Sequence, residues 1–387
     1  MCYKILKVIT GKNIILYSSG IATILASLLA WLIVFSEKPN NADMRELQGI
    51  VNDLKDYNMN NNTNQNIGET PKVPVVRSEL STTMAWMYPG DPACDAIKDA
   101  KKHKFDVLKV EYFLVTDTGD LELMTEKKYG CNGYTKDNAS IVSTLAGRQF
   151  VVVSSSYALD MDKFLLQDIE TGEHTDKLVQ FVLDNKFTGV EIDFEDFGGW
   201  SEETTLRYIG FIKKLGDKLH SVNKQLMIDL PPASNKVEEQ WNKFSLSDFN
   251  DLPIDYIVIM GYDYQYDHGV GQPVSPLKWL SEVTLFTRSQ IKDHSKIVIG
   301  VSSYGYVGNL GTKKMEIMTQ EQLSMEPLYK YAERDESSGE MIAKKDGKVL
   351  VYQDSESVSR KIDTVLDSGI GKVSIWHIGG NSLPVNN

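Results

Sequence analysis

The chain has 387 residues, of which 42% are hydrophobic and 24% are charged. This balance is typical of a globular protein and excludes a wholly disordered chain, a collagen and a small disulfide-rich fold. The 53 aspartate and glutamate residues outnumber the 41 lysine and arginine residues, so the formal net charge is −12. Because nucleic-acid affinity depends on cations that neutralise phosphates, we expect no nucleic-acid partner.

The first feature along the chain is an uncharged apolar run at residues 14–35. A helix of this length spans a hydrocarbon core of roughly 30 Å, whereas the apolar region of a cleaved signal peptide, the alternative, is usually about 7–15 residues long. Lys4, Lys7 and Lys12 precede the run, and basic residues favour the cytoplasmic side of a membrane. We therefore expect a single-pass anchor that leaves residues 1–13 in the cytoplasm and the remainder of the chain outside.

Residues 36–80 are predicted to form a flexible linker, because their polar, Asn-rich stretch cannot bury enough apolar surface to fold alone. The remaining body, residues 81–387, alternates short apolar runs with amphipathic helical patterns, which predicts βαβ units around a parallel sheet. Eight runs predict an α/β fold of the (β/α)8 TIM-barrel type, and a doubly wound open sheet is the alternative. The runs lie at 82–88, 105–115, 149–156, 187–195, 225–232, 254–263, 296–305 and 371–380.

The interval 306–353 is too long for one loop and one helix between the seventh and eighth strands. Its Asp346-Gly347 pair stands between two lysines and an apolar run, a pattern typical of a β-hairpin turn. We therefore predict a small α+β insertion between strands 7 and 8.

The fourth run carries the most informative pattern of the chain. Residues alternate between the two faces of a strand, so Glu191, Asp193 and Glu195 share one face. Neighbouring carboxylates on that face would lie about 7 Å apart and repel by roughly 2 kcal/mol, enough to raise a pKa by more than one unit. The row should therefore hold a proton at neutral pH, as a general acid must. A solvated edge strand is the alternative.

The same stretch, GVEIDFE, resembles the DGxDxDxE signature of glycoside hydrolase family 18, which includes chitinases, endo-N-acetylglucosaminidases and cortex-lytic enzymes of spore formers. The resemblance extends to three further motifs in the expected order. They are the M-x-Y-D and G-x-P-V-x-P-L-x-W pattern of the spore-lytic branch at 257–280, the strand-like KIVIGVSSYGY at 296–306 and VSIWHIGG at 373–380.

The resemblance implies a role for each matching residue. Glu195 matches the general acid, and Asp193 matches the residue that orients the 2-acetamido group while its carbonyl oxygen attacks the anomeric carbon. Tyr262 matches the tyrosine that hydrogen-bonds the same carbonyl, Asp263 its sugar-contacting neighbour, and Trp376 the aromatic floor under the sugar. The alternative for Tyr262 and Trp376 is that they only pack in the barrel core.

Two positions depart from the family signature. Thr188 replaces its first aspartate and Glu191 its second, so the proton coupling between Glu191 and Asp193 is in question, although we still expect Glu191 to contact substrate. Family members that only bind carbohydrate commonly lose the terminal glutamate, whereas Glu195 is present. Tyr88 is one of several aromatic residues near predicted strand ends that could stack on sugar rings or pack in the core.

The remaining expectations concern cofactors, cysteines and substrate. We expect no cofactor and no metal site, because the histidines and cysteines lack metal-ligand spacing. Cys94 and Cys131 could pair in an extracytoplasmic domain. The resemblance implies a glycosidase for β-linked polymers of N-acetylated amino sugars, with peptidoglycan favoured over chitin or an N-glycan core, and the alternative is an inactive chitinase-like carbohydrate-binding protein.

Overall fold

The computed structural model describes residues 75–90 and 93–384, and the structural statements below refer to these residues. The predicted anchor at 14–35 and nearly all of the predicted linker lie outside the described residues. Among the described helices, none combines the length and apolar character needed to cross a membrane.

The strands confirm all eight runs predicted from the sequence. Eight parallel strands pair in the order β1-β2-β4-β5-β6-β7-β8-β14, and β14 pairs with β1 to close the barrel. Closure excludes the open doubly wound sheet. The strands of the described chain are β1 Thr82–Met87, β2 Val107–Val115, β3 Leu121–Leu123, β4 Arg148–Ser155, β5 Gly189–Phe194, β6 Gln225–Leu230, β7 Tyr256–Met260, β8 Ile297–Ser302, β9 Gly305–Asn309, β10 Met315–Met318, β11 Glu333–Asp335, β12 Glu340–Lys345, β13 Lys348–Tyr352 and β14 Lys372–Ile378.

Helices follow most of the barrel strands and pack outside them, as a (β/α)8 barrel requires. The α-helices are α1 Ala96–Lys102, α2 Glu126–Tyr129, α3 Lys136–Leu145, α4 Ala158–Thr171, α5 Glu173–Asp184, α6 Glu202–Ser221, α7 Lys236–Glu239, α8 Tyr264–His268, α9 Leu277–Gln290, α10 Gln320–Leu323 and α11 Ser355–Asp367. Short 3-10 helices occupy Ala93–Asp95, Phe197–Gly199, Leu246–Phe249, His294–Lys296 and Tyr329–Tyr331.

The predicted insertion between the seventh and eighth barrel strands is confirmed. It is a five-stranded antiparallel sheet in the order β10-β9-β13-β12-β11, accompanied by α10. Asp346 and Gly347 form the two-residue turn between β12 and β13, and both have positive φ angles, 50° and 74°. This geometry is that of a type I′ hairpin turn, which favours Asp-Gly.

The interior of the barrel changes character along its axis. Near the N-terminal ends of the strands, side chains from six strands form an apolar layer: Met84, Val107, Phe150, Met227, Val258 and Val298. Closer to the C-terminal ends, β2, β5 and β6 place charged side chains in the interior: Lys109, Glu111, Glu191, Asp193 and Asp229. Because barrel interiors are usually filled by branched apolar residues, this polar half indicates a functional site at the C-terminal face.

Candidate active site

The acidic row lies on a central strand. β5 pairs with β4 on one side and with β6 on the other, which excludes the solvated edge strand. Val190, Ile192 and Phe194 are fully buried in the main apolar core of the domain. The intervening Glu191 and Asp193 are buried on the opposite face, 0% and 8% exposed, inside the barrel. The predicted alternation therefore holds.

Glu195 follows β5 directly, at the C-terminal face of the barrel. Its backbone N–H donates to the carbonyl of Ser155 at 2.8 Å, and its own carbonyl accepts from Nε1 of Trp200 at 2.9 Å. These bonds fix the backbone, while the side chain remains exposed in the mouth of the cleft. The surrounding protein nevertheless desolvates the carboxyl group and, together with the charges of Asp263 and Glu111, raises its pKa to about 7.

Asp193 lies deeper in the cleft than Glu195. No donor among the described residues reaches its Oδ1 atom, which is buried. Burial, followed by the charges of Glu195, Glu111 and Glu191, raises the pKa of Asp193 well above its ordinary value, and Lys109 acts in the opposite direction. Glu195 can therefore exchange protons near neutral pH, which a general acid must do, and Asp193 keeps its proton to higher pH than an ordinary aspartate.

Tyr262 and Asp263 follow β7 and face the same cleft. Asp263 has a left-handed backbone, with φ of 70°, and it accepts hydrogen bonds from the hydroxyl of Tyr304 and from Nε2 of Gln265. Burial raises the pKa of Asp263, and these two hydrogen bonds oppose the rise. The bonds hold the carboxylate in one orientation, with Tyr262 beside it.

An aromatic wall closes one side of the cleft. Trp376 lies near the end of β14, with its ring centroid 6.1 Å from that of Tyr262 and 5.0 Å from that of Tyr304. Tyr88 follows β1 and lies on the other side of Trp376, with ring centroids 6.4 Å apart. Tyr88 is 38% exposed and sits at the rim, so the cleft itself is lined by other aromatic residues.

The cleft brings together most of the residues predicted from the sequence. It is lined by five of the eight barrel strands or the loops that follow them, and by Ile317 of β10, so the insertion supplies part of its wall. The lining residues are Trp86, Asp193, Glu195, Met260, Tyr262, Asp263, Tyr266, Tyr304, Ile317 and Trp376.

The two positions that depart from the signature lie below the cleft. Glu191 does not line it: its Oε1 accepts from Nζ of Lys109 at 2.6 Å, and both side chains are buried. Contrary to the expectation that Glu191 contacts substrate, this placement allows it to act only through neighbouring side chains. Thr188 precedes β5, and its hydroxyl accepts from the N–H of Gln149 at 3.1 Å, which is a structural contact.

Sequence reasoning missed three charged residues of the barrel interior: Lys109 and Glu111 of β2, and Asp229 of β6. Glu111 accepts hydrogen bonds from Ser154 at 2.6 Å and from Trp86 at 3.4 Å. The signal that could have found them is the one that revealed the acidic row, because each interrupts an otherwise apolar strand. Within the described ranges, no three histidine, cysteine or acidic side chains are arranged to hold a metal ion.

Comparison with known proteins agrees with this geometry. The sequence model of "Glycosyl hydrolases family 18" matches residues 163–381, more than half of the chain. A cortical fragment-lytic enzyme of Bacillus subtilis is 21% identical over 258 residues, which is 60% of this chain and 56% of that protein. The chain spans about half the length of the curated relatives it matches, from 47% to 62%.

Solved structures share the fold. A chitinase from Chromobacterium violaceum superposes with a TM-score of 0.64 at 20% identity, covering 78% of this chain and 95% of the chitinase chain. The spore cortex-lytic enzyme SleL of Bacillus cereus superposes with a TM-score of 0.62 at 18% identity, covering 79% of this chain and 72% of the SleL chain. At these identities, the likeness establishes the barrel and leaves substrate and chemistry to the residues of the cleft.

Proposed function

Because the chain belongs to glycosyl hydrolases family 18, we propose that it is a glycoside hydrolase that cleaves β-linked polymers of N-acetylhexosamine. One observation carries the proposal: Glu195 stands at the mouth of an aromatic cleft, next to Asp193, with its pKa raised to about 7. Such a carboxyl group is protonated in a large fraction of molecules at neutral pH and can protonate a glycosidic oxygen.

The proposed reaction uses the acetamide of the substrate as its nucleophile. Glu195 donates its proton to the glycosidic oxygen as the bond from that oxygen to the anomeric carbon breaks, and the acetamide carbonyl oxygen forms a bond to the same carbon. Water then opens the cyclic intermediate, with Glu195 accepting a proton from the water. The configuration at the anomeric carbon is retained after two displacements.

Asp193 and Tyr262 are the proposed clamps on the acetamide. Asp193 would accept from the acetamide N–H and stabilise the positive charge of the cyclic intermediate, and the hydroxyl of Tyr262 would donate to the attacking carbonyl oxygen. Both side chains line the cleft together with Glu195. Trp376, packed against Tyr262 and Tyr304, offers a ring on which the sugar can stack.

Peptidoglycan is the polymer we favour, and chitin and an N-glycan core are the alternatives. The Bacillus subtilis relative supports the preference, because its name describes the lysis of cortical fragments. We further propose that the domain acts outside the cytoplasm, held by the apolar run at 14–35. The disulfide between Cys94 and Cys131, whose Cα atoms lie 5.3 Å apart, supports this location, because such bonds persist in oxidising compartments.

The deciding experiment measures turnover of chitooligosaccharides and of purified peptidoglycan by the wild-type chain and by Glu195→Gln. Removing the proton donor should lower kcat on the order of 10²-fold or more, while binding of the oligosaccharide persists. Glu203→Gln, at a solvent-exposed glutamate of α6, is the matched control and should be fully active. Binding without turnover by the wild-type chain on every substrate would instead identify a carbohydrate-binding protein.

A further inference from the structure

A lysine is buried beneath the candidate catalytic carboxyl groups. Nζ of Lys109 lies 2.6 Å from Oε1 of Glu191, and the two side chains are 1% and 0% exposed. The ammonium group also stands 4.9 Å above the ring of Trp86, which lines the cleft. The pair therefore connects the floor of the cleft with the polar layer of the barrel interior.

The carboxyl groups around this lysine outnumber it. Burial and the neighbouring charge of Glu191 raise the pKa of Asp229 of β6 well above its ordinary value. No donor among the described residues reaches Oδ2 of Asp229 or Oδ1 of Asp193, and these atoms are buried. Three buried carboxyl groups thus share a single neighbouring cation.

The number of charges decides how protons are distributed. An ionised carboxylate without a partner is unstable inside a protein, so a single cation can stabilise only one of the three groups as an anion. The short contact identifies Glu191 as that anion. Asp229 and Asp193 are then left to hold protons, and Lys109 remains charged through its bond to Glu191.

We propose that Lys109 and Glu191 form a positioning pair beneath the active site: by compensating the charge of Lys109, Glu191 allows Asp193 to keep its proton in the resting protein. This inference rests on the proposed glycosidase function for its kinetic consequence, whereas the protonation pattern itself does not. It also accounts for a glutamate at the second position of the signature, since the longer side chain reaches Lys109 across the barrel.

Titratable groups on several elements surround Asp193. They are Lys109 and Glu111 of β2, Glu191 of β5, Glu195 directly after β5, Asp229 of β6, Tyr208 of α6 and Tyr262 after β7. Only the balance between Lys109 and Glu191 is changed in the experiment below.

The experiment compares a single and a double variant by the pH dependence of turnover. Glu191→Gln leaves the charge of Lys109 facing Asp193 without compensation, so the pH profile of kcat/KM should move to lower pH by about one unit. Lys109→Met combined with Glu191→Gln removes both charges, and the profile should return to the wild-type position. A merely structural role of the pair would lower stability in both variants and leave the profile in place.

A second measurement requires no hydrolysis. The protein labelled with 13C at the aspartate carboxyl carbons reports the titration of Asp193, whose signal is assigned by its absence in Asp193→Asn. The midpoint should fall by about one pH unit in Glu191→Gln and recover in the double variant. A wild-type chain that hydrolyses no substrate would contradict the proposed function and leave this titration intact as a test of Lys109.

A second buried lysine supplies the matched control. Nζ of Lys361 lies 3.0 Å from Oε1 of Glu340, and both side chains are fully buried where α11 meets β12, outside the barrel interior. Glu340→Gln should destabilise the fold as Glu191→Gln does, without moving the pH profile or the Asp193 midpoint. The proposal is overturned if Glu191→Gln leaves that midpoint unchanged, or if it shifts the midpoint equally with and without Lys109.

Discussion

Tyr262 packs its ring against the backbone of Gly300, so closely that a Cβ atom at position 300 would come within 2.8 Å of Cε1 of Tyr262. The same Cβ atom would meet the carbonyl oxygen of Ile259 at 3.1 Å. On its other sides the Tyr262 ring contacts Trp376 and Tyr304, so it has little room to move away. The absence of a side chain on β8 thus sets the position of a proposed acetamide clamp.

Gly300→Ala should therefore displace Tyr262 and lower kcat more than it affects substrate binding. Overpacking of this kind costs about 1–3 kcal/mol of unfolding free energy, and small misplacements near the reacting atoms can cost up to about 10²-fold in rate. Gly210→Ala is the control, because a Cβ atom there, on the exposed face of α6, meets nothing within 4 Å. It should stabilise the helix by about 0.5–1 kcal/mol and leave turnover unchanged. Equal activity of the two variants would contradict the role of the Gly300 contact.

The pKa of Glu195, raised to about 7 mainly because the surrounding protein desolvates the carboxyl group, predicts the pH dependence of turnover. The general acid must be protonated, so kcat/KM should fall as pH rises through about 7. Asp263→Asn removes the second cause of the raised pKa and should move this decline to lower pH. A pH–rate profile that stays flat from pH 6 to about 8 would show that Glu195 is not the acid.

The free energy of unfolding should also depend on the protonation of Glu195. The pKa of Glu195 is higher in the folded protein than its ordinary value of 4.5, so the folded state binds more protons between these values. This contribution to stability is fully present below pH 4.5 and is lost as pH rises to about 7. Thermal unfolding of the wild type and of Glu195→Gln, measured across this window, should show a weaker decline in Tm for the variant.

Much of this fold follows from local sequence patterns. All eight barrel strands and the Asp346-Gly347 hairpin could be predicted, because strand alternation and turn chemistry depend on neighbouring residues. The short antiparallel strand β3, paired with the end of β2, was missed because its three residues give too short a pattern.

The buried ion pair could not be predicted in the same way. Alternation tells which face of a strand a residue occupies, and it placed Glu191 correctly inside the barrel. It does not tell which side chain lies opposite, because Lys109 is 82 residues away and the contact depends on the register of β2, β4 and β5. The sequence of each strand therefore predicts which charged residues point into the barrel. It does not predict which of them pair, because pairing depends on how the strands are aligned in the closed sheet.

The Cys94–Cys131 disulfide should stabilise the domain against reduction. It closes a loop with a sequence separation of 37, and loss of such a cross-link costs about 3–4 kcal/mol by chain entropy. Asn132 directly follows the second cysteine, and its Nδ2 atom donates to the carbonyl of Tyr88 at 2.9 Å. Addition of dithiothreitol should lower the Tm of the wild type and have no effect on a Cys94→Ser/Cys131→Ser variant. An unchanged Tm on reduction would contradict a stabilising disulfide.

The anchor expected at 14–35 predicts the topology of the chain in cells. Protease added to intact cells should degrade the barrel, which the proposal locates outside, and should spare a tag placed within residues 1–13. A chain from which 14–35 has been deleted is the control, and its barrel should resist the protease. A mature protein that is free in the medium and lacks residues 1–35 would show a cleaved signal peptide instead.

The substrate-assisted mechanism predicts that the N-acetyl group at the cleavage position is indispensable. A matched oligosaccharide that carries a free amine there should bind in the cleft and remain uncut, because no side chain replaces the acetamide oxygen as nucleophile. Positioning of that oxygen by Asp193 and Tyr262 can contribute several kcal/mol to the rate, about 7 or more where the geometry is fully set before reaction. Asp193→Asn and Tyr262→Phe should accordingly lower kcat for the acetylated substrate far more than they raise KM.

Tyr306→Phe is the control. The hydroxyl of Tyr306 donates to the carbonyl of Gln272, away from the lining residues of the cleft, so this variant should keep normal kcat. Rapid cleavage of the free amine, or a sugar ester trapped on Asp193, would instead establish a two-carboxylate retaining mechanism.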